Sequence, residues 1–156
     1  MKILVTGANG QLGREISRQF GREHELVLTD IGELDVTRHH EVQEFFRAVR
    51  PQAVVHCAAY VEAWGPRDAW YNANVLGTQH ALDAARAAGV KRFIHIGTEA
   101  AIVHGQDIRN ADENYPLSPD SPYPYCATKA QAEMRVRAAN EPGVFETIVL
   151  RPRFIW

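Results

Sequence analysis

The sequence predicts a doubly wound α/β fold, a parallel sheet with helices on both faces. Three observations lead there. Five short apolar runs, "KILVT", "ELVLT", "AVVHCA", "RFIHIG" and "ETIVL", are nearly continuous in hydrophobicity and rich in Val and Ile, as strands covered on both faces are. The segments between them place apolar residues at helical spacing. Strand and helix therefore alternate along the chain, the pattern of parallel strands joined by crossover helices. The 156 residues suffice for one domain, 1–156. The expected order of the five strands is 3-2-1-4-5, that of the common doubly wound sheet.

The first run leads into Gly7, Gly10 and Gly13 and then a helix from Gln11 to Phe20, with Leu12, Ile16 and Phe20 one turn apart. After the second run, a helix over His39 to Val49 carries Val42, Phe45, Phe46 and Val49 on one face, and Pro51 closes it. The third helix can start at Pro66, with Tyr71, Val75, Thr78 and Leu82 sharing a face and Gly89 suited to its C-terminal cap. A fourth runs from about Tyr125 to Ala139. The one long loop, "HGQDIRNADENYPLSPDSPYP", is rich in Pro, Asp and Asn, and a loop of that length in a compact domain is usually functional.

Composition narrows the function classes. Hydrophobic residues make up 46% and charged residues 23% of the chain, ordinary for a globular protein. A net charge of −2 gives no reason to expect nucleic acid or an anionic membrane as partner. Thr6 to Gly13 is polar where the apolar part of a signal peptide would continue, and no apolar run approaches the ~20 residues of a membrane-spanning helix. Cys57 and Cys126 lie in unrelated contexts without metal spacing, so a reduced, cytoplasmic protein is expected. His39 and His40 are neighbours on a helix, pointing apart, and read as surface residues. No metal site is expected.

Gly7-x-x-Gly10-x-x-Gly13 stands between a strand and a helix, the context in which a dinucleotide pyrophosphate approaches backbone N–H groups at a helix N-terminus. A glycine turn without ligand is the alternative. Asp30 ends the second strand, where a carboxylate can accept both ribose hydroxyls of an adenosine; a turn or cap residue is the other reading. Glu33 follows where a 2′-phosphate would meet negative charge, which favours NAD over NADP. Asp35 and Val36 in "ELDVT" join the same site, although Asp35 equally suits the turn ahead of the next helix.

Tyr125 and Lys129 in "YCATK" are four apart, one turn along one helix face. A tyrosine with its ordinary pKa of ~10 is a poor base at neutral pH. Lowering that value to neutrality requires about 4 kcal/mol, roughly what a cation ~4 Å away supplies at an effective dielectric of 20, and Lys129 can be that cation. Thr98 lies just past the fourth strand, at the edge where open α/β sheets bind ligands, and its hydroxyl could hold a substrate oxygen. A tyrosine and lysine on an amphipathic helix, and a strand-end threonine, are the plain alternatives.

"TGANGQLG", "HCAAY", "NANVLGT", "IGT", "YCATK" and "LRPRFIW" together resemble the extended short-chain dehydrogenases, the NAD-dependent epimerase/dehydratase family with its Rossmann-type fold. The resemblance covers the whole chain. Up to about Tyr60 it is most like dTDP-4-dehydrorhamnose reductases, and from Gly77 onward more like the 3β-hydroxysteroid dehydrogenase branch. It implies Tyr125 as acid–base, Lys129 on the nicotinamide ribose and Thr98 on the substrate oxygen. It also implies that Asn9, Gln11, Leu12, Ala58, Ala59 and Tyr60 line the cofactor site with Gly7, Gly10, Gly13, Tyr125 and Lys129. Asn74 would be a structural or relay asparagine, with a helix-surface amide as an equal reading. Glu99, beside Thr98, could be a second acid, as in dehydratase-type members, or a solvated carboxylate, and the second reading is favoured. The implied substrate is a small molecule, a sugar nucleotide or a hydroxysteroid-like alcohol or ketone. In the family the "LRPRFIW" position leads into further strands and a substrate region, so the chain is expected to stop short of that region. Its last strand would then be an exposed edge able to pair with a second copy, and the loop Arg151 to Trp156 should be mobile at its tip. The competing function is a dinucleotide-binding module without turnover of its own.

Overall fold

The computed structural model describes residues 1–153. All five apolar runs form parallel strands: β1 (Lys2–Thr6), β2 (Glu25–Thr29), β3 (Ala53–His56), β4 (Arg92–Ile96) and β5 (Glu146–Leu150). Helices α1 (Gln11–Phe20) and α2 (His39–Val49) fall where the spacing puts them, and α5 spans Pro124–Ala138. Alternation along each strand sends side chains to opposite faces. Leu4, Val54 and Phe93 pack with Val42, Phe46, Leu82, Ala85, Val136 and Phe145 on one face. Ile3, Val5 and Ala53 pack with Ile16 and Leu26 on the other.

The fold class holds, but the expected order 3-2-1-4-5 does not. The sheet runs β2-β1-β3-β4-β5. The expected order needs a strand outside β2. Instead the chain leaves β2 through consecutive turns closed by Leu34 N–H on the Asp30 carbonyl (2.8 Å) and Arg38 N–H on the Asp35 carbonyl (3.0 Å), and enters α2 directly. The next strand, β3, therefore crosses to the far side of β1 and pairs there from Ile3↔Ala53 to Thr6↔His56. This arrangement puts the switch point, where α/β sheets bind ligands, between the carboxyl ends of β1 and β3.

The third helix is not uniform. It begins as α3 (Arg67–Trp70), passes through a π-helical turn over Tyr71–Leu76 and continues as α4 (Gly77–Ala87). Five residues per hydrogen-bonded step change the facing. Val75, Thr78 and Leu82 stay buried as expected, while Tyr71 is turned to solvent. The same turn rotates Asn74 inward.

At the far edge, β5 pairs with β4 alone among the described residues, with Ile148 and Leu150 about half exposed. Arg151, at the base of the loop expected to be mobile at its tip, donates to the fully buried Glu133 carboxylate at 2.6 and 2.9 Å, and Arg137 donates to the same carboxylate at 2.8 Å. The rest of that expectation, on 154–156, lies outside the described residues.

Two histidines sit side by side in the sheet. His56 and His95 are register partners on β3 and β4, both fully buried, with ring centroids 5.6 Å apart. His56 is hydrogen-bonded to the Thr6 hydroxyl (2.8 Å) and the Thr78 hydroxyl (3.2 Å). Neither ring nitrogen of His95 has a partner among the described residues. Burial, reinforced by Lys129, lowers the His56 pKa to about 3 and that of His95 well below its usual value. The unfolded chain therefore binds more protons below the ordinary imidazole value of ~6.5, and stability falls as pH drops from there towards 3. His95→Leu should flatten this acid slope at little cost at pH 7, because no partner is orphaned. His56→Leu should flatten it too but cost about 1–3 kcal/mol at pH 7 by stranding Thr6 and Thr78. Urea midpoints measured from pH 4 to 8 check both; an unchanged slope in both variants would overturn the assignment.

Candidate functional site

The glycine turn is dictated first by the chain's own packing. Gly7 adopts φ 67°, and a Cβ there would stand 2.7 Å from the Ala58 amide nitrogen. A Cβ on Gly13 would lie 2.5 Å from the Gly7 carbonyl oxygen and 2.6 Å from the Ala8 Cα. A Gly10 Cβ would meet only the Gly7 oxygen, at 3.3 Å. The turn is thus pressed against the end of β3, and the start of α1 against the turn. Gly10 forms the N-cap of α1 without a capping side chain, and no acidic residue occupies the first turn. The positive end of the helix dipole is left for an anion to meet.

Beside this turn runs a groove of about 550 Å³. The structure brings to it Gly7, Asn9, Gly10, Gln11, Leu12, Gly13, Asp30, Asp35, Val36, Ala58, Ala59 and Tyr60, every residue expected there except Tyr125 and Lys129. The sequence reading missed the apolar Ile31 and Val61, both well exposed on the groove wall. They sit outside the helices and strands, where no periodicity marks them. The Asp30 carboxylate accepts the Asn9 N–H (2.8 Å) and the Ile31 N–H (2.9 Å), so it is oriented by backbone and retains lone pairs for a further donor. Glu33 accepts the Asp30 N–H at 2.9 Å, keeping a second carboxylate at this end. Asp35 serves the turn as well, accepting from the Thr37 N–H (2.9 Å) and hydroxyl (2.7 Å). These features fit a dinucleotide: a side-chain-free cradle at a helix N-terminus, with an oriented carboxylate at the end of the next strand.

The other end of the groove is bounded by Cys57, Tyr60 and Ile96, at the carboxyl ends of β3 and β4. Lys129 is buried here, and its ammonium donates to the Ile96 carbonyl at 2.7 Å. Burial lowers its pKa to about 8, against support from Cys57 and Glu133. Burial raises the Tyr125 pKa, while a hydrogen bond with the Thr98 side chain acts in the opposite direction. The expected lowering of Tyr125 by Lys129 is therefore absent from this arrangement: the ammonium is turned to the strand end rather than to the phenol. Thr98 meets both of its readings, since its hydroxyl also accepts the Ala100 N–H (3.1 Å) and caps the short 3₁₀ turn Glu99–Ile102. Glu99 is partly exposed and pairs with Arg153 at 3.2 Å, as a solvated carboxylate can.

Asn74 is not a helix-surface amide. It is buried, accepting the Tyr60 N–H at 2.7 Å and donating to the Tyr60 carbonyl (3.2 Å) and the Thr128 hydroxyl (3.1 Å). One amide thus ties the groove wall after β3 to the helix that carries Tyr125 and Lys129.

A family model for the NAD dependent epimerase/dehydratase family matches residues 3–154. The chain belongs to this family. It is 38% identical to a 2-alkyl-3-oxoalkanoate reductase of Stenotrophomonas maltophilia, covering 100% of this chain and 51% of that protein. It is 36% identical to a 4-hydroxy-2-methyl-3-oxo-4-farnesyl-3,4-dihydroquinoline-1-oxide ketoreductase of Stigmatella aurantiaca, with the same two coverages. Among solved structures, dTDP-4-dehydrorhamnose reductase of Bacillus anthracis in complex with NADP superposes with a TM-score of 0.85 at 26% identity, over 99% of this chain and 54% of that one. The chain spans about half the length of the relatives it matches. The family's members are enzymes, and a Rossmann-type sheet of this kind is their common frame.

Two tests follow from the packing. Gly13→Ala should destabilise by about 1–3 kcal/mol, because backbone must move, whereas Gly32→Ala, with open space around its Cβ, should stay within ~0.5 kcal/mol. Denaturant midpoints compare them, and equal effects would refute the cradle geometry. For Lys129 the folded pKa lies below the unfolded value of ~10.4, so the unfolded chain holds more protons between pH 8 and 10.4 and stability rises with pH across that window. Lys129→Met should remove a rise on the order of 3 kcal/mol, seen as the difference between the two proteins' stability–pH curves.

Proposed function

We propose that this chain forms the cofactor-binding and proton-transfer part of an NAD-dependent oxidoreductase acting on a ketone or carbinol. The observation that supports this most is the gathering of twelve expected residues, from three strand ends, around one groove that ends beside Lys129. In this reading the pyrophosphate lies over Gly7 to Gly13, the adenosine ribose is held by Asp30, and the nicotinamide end reaches Cys57, Ile96 and Lys129. The nicotinamide, when bound, gives or takes a hydride.

The residues here do the proton work. With its pKa raised, Tyr125 is protonated at neutral pH and is disposed to donate to the oxygen of a ketone being reduced. Thr98, hydrogen-bonded to Tyr125, stabilises the developing alkoxide. Lys129 supplies positive charge behind the site, and its buried position excludes water. Reduction also matches the names of the two reductases given above, whose substrates carry an oxo group on a large apolar body.

Asp30 and Glu33 favour NAD over NADP, in contrast to the NADP-bound rhamnose reductase. Calorimetry should show NADH binding more tightly than NADPH, with Asp30→Ala narrowing the gap; equal affinities in the parent would refute the ribose assignment. Tyr125→Phe should lower kcat for ketone reduction by ~10² or more, followed by NADH oxidation, and leave NADH affinity unchanged. Near-normal turnover in that variant would place the proton donor elsewhere.

A further inference from the structure

Tyr125 borders a second hollow, a cleft of about 400 Å³ that none of the glycine-turn residues lines. Val61 lines both the groove and this cleft, so the two adjoin. Its walls are aromatic and apolar: Trp64, almost wholly exposed, Tyr123, half exposed, and Trp70, buried with its edge against Tyr60. Two charges stand on its rim, Arg67 at the start of α3 and Glu62 in the loop before it. Neither side chain is held by an ion pair or hydrogen bond among the described residues.

These walls do not suit a sugar nucleotide, whose hydroxyls and phosphates need many donors. An exposed tryptophan beside a half-exposed tyrosine offers broad apolar contact with a polar edge. A guanidinium held by no partner presents a planar fork that matches a carboxylate in two parallel hydrogen bonds. We propose that this cleft takes the body of an apolar ketone or carbinol that carries a carboxylate, and that Arg67 selects for that carboxylate while Trp64 and Tyr123 cover the chain. The inference rests on Tyr125 being the proton donor, since that is what makes the cleft the substrate's side. Glu62 opposes the same carboxylate and sets the balance of charge.

The test is binding in the absence of cofactor, so that no turnover intervenes. Calorimetry would compare 3-hydroxyoctanoate with 2-heptanol, which lacks only the carboxyl group, and with octylamine. The acid should bind at least tenfold more tightly than the alcohol, with the preference shrinking as salt is raised. Arg67→Ala should abolish that preference and leave the alcohol unchanged; Arg67→Lys should restore part of it. Glu62→Gln should strengthen acid binding, and Trp64→Ala should weaken acid and alcohol alike. Equal binding of acid and alcohol, no binding of either, tighter binding of the amine, or an Arg67→Ala variant with its preference intact would each overturn the proposal. NADH titration of the same preparations separates the two readings. Arg67-dependent acid binding without NADH binding would overturn the oxidoreductase, and the cleft as its substrate side with it, while the carboxylate selection by Arg67 stands. NADH binding without acid preference would do the reverse.

Discussion

The constraint on which the groove depends is the contact between the β1–α1 turn and the end of β3. With Gly7 at φ 67° and no Cβ to spare, the turn lies directly on the Ala58 amide. Neighbouring bonds make this a lacing of three strand ends. The Ala8 N–H donates to Thr29 at the end of β2 (2.9 Å), the Cys57 N–H to the Thr6 carbonyl (3.1 Å), and the Asn9 N–H to the Asp30 carboxylate (2.8 Å). A groove bounded by backbone held on three sides cannot drift with side-chain rotamers. Its width is a property of the sheet, and so the helix N-terminus and Asp30 are placed relative to each other before any ligand arrives.

Behind the groove lies a polar interior that a simple apolar core would avoid. Lys129, Asn74, His56, His95 and Glu133 are all buried, and each except His95 has named partners. Buried charge is costly even when paired, so this arrangement is poor economy for stability alone. It does fix orientation. Asn74 leaves Tyr60 and Thr128 no freedom relative to each other, and Glu133, gripped by Arg137 and Arg151, ties α5 to the end of β5. The helix bearing Tyr125 is therefore located from both sides.

Much of this was legible in the chain. Strands flanked on both faces must be nearly all apolar, and each of the five runs is a strand. The glycine spacing, Asp30 and "HCAAY" converge because they sit at consecutive carboxyl ends of adjacent strands, a relation that alternation already implies. What escaped depended on contacts distant in sequence or on backbone irregularity. The strand order turned on which edge the third run would join, beyond β2 or across β1, and the alternation of strand and helix does not distinguish the two. The π turn that buries Asn74 and exposes Tyr71 breaks the periodicity on which a helix reading relies. The His56–His95 pair is invisible until register sets two histidines opposite each other, one in each of two separately apolar runs.

The same interior bears on the direction of the chemistry. Burial pushes the two titrating groups of the site towards neutrality from opposite sides, raising Tyr125 and lowering Lys129 to about 8. At pH 7 the phenol holds its proton firmly and the lysine remains mostly charged. In the function proposed above, such a site would give a proton to an oxygen that is gaining negative charge, as when a carbonyl accepts hydride. Taking a proton from an alcohol instead would require the phenolate, and the phenolate requires a cation near it. The Lys129 ammonium donates to the Ile96 carbonyl at 2.7 Å, and in the same reading its swing from that carbonyl towards the phenol is the movement by which oxidation would become as accessible as reduction.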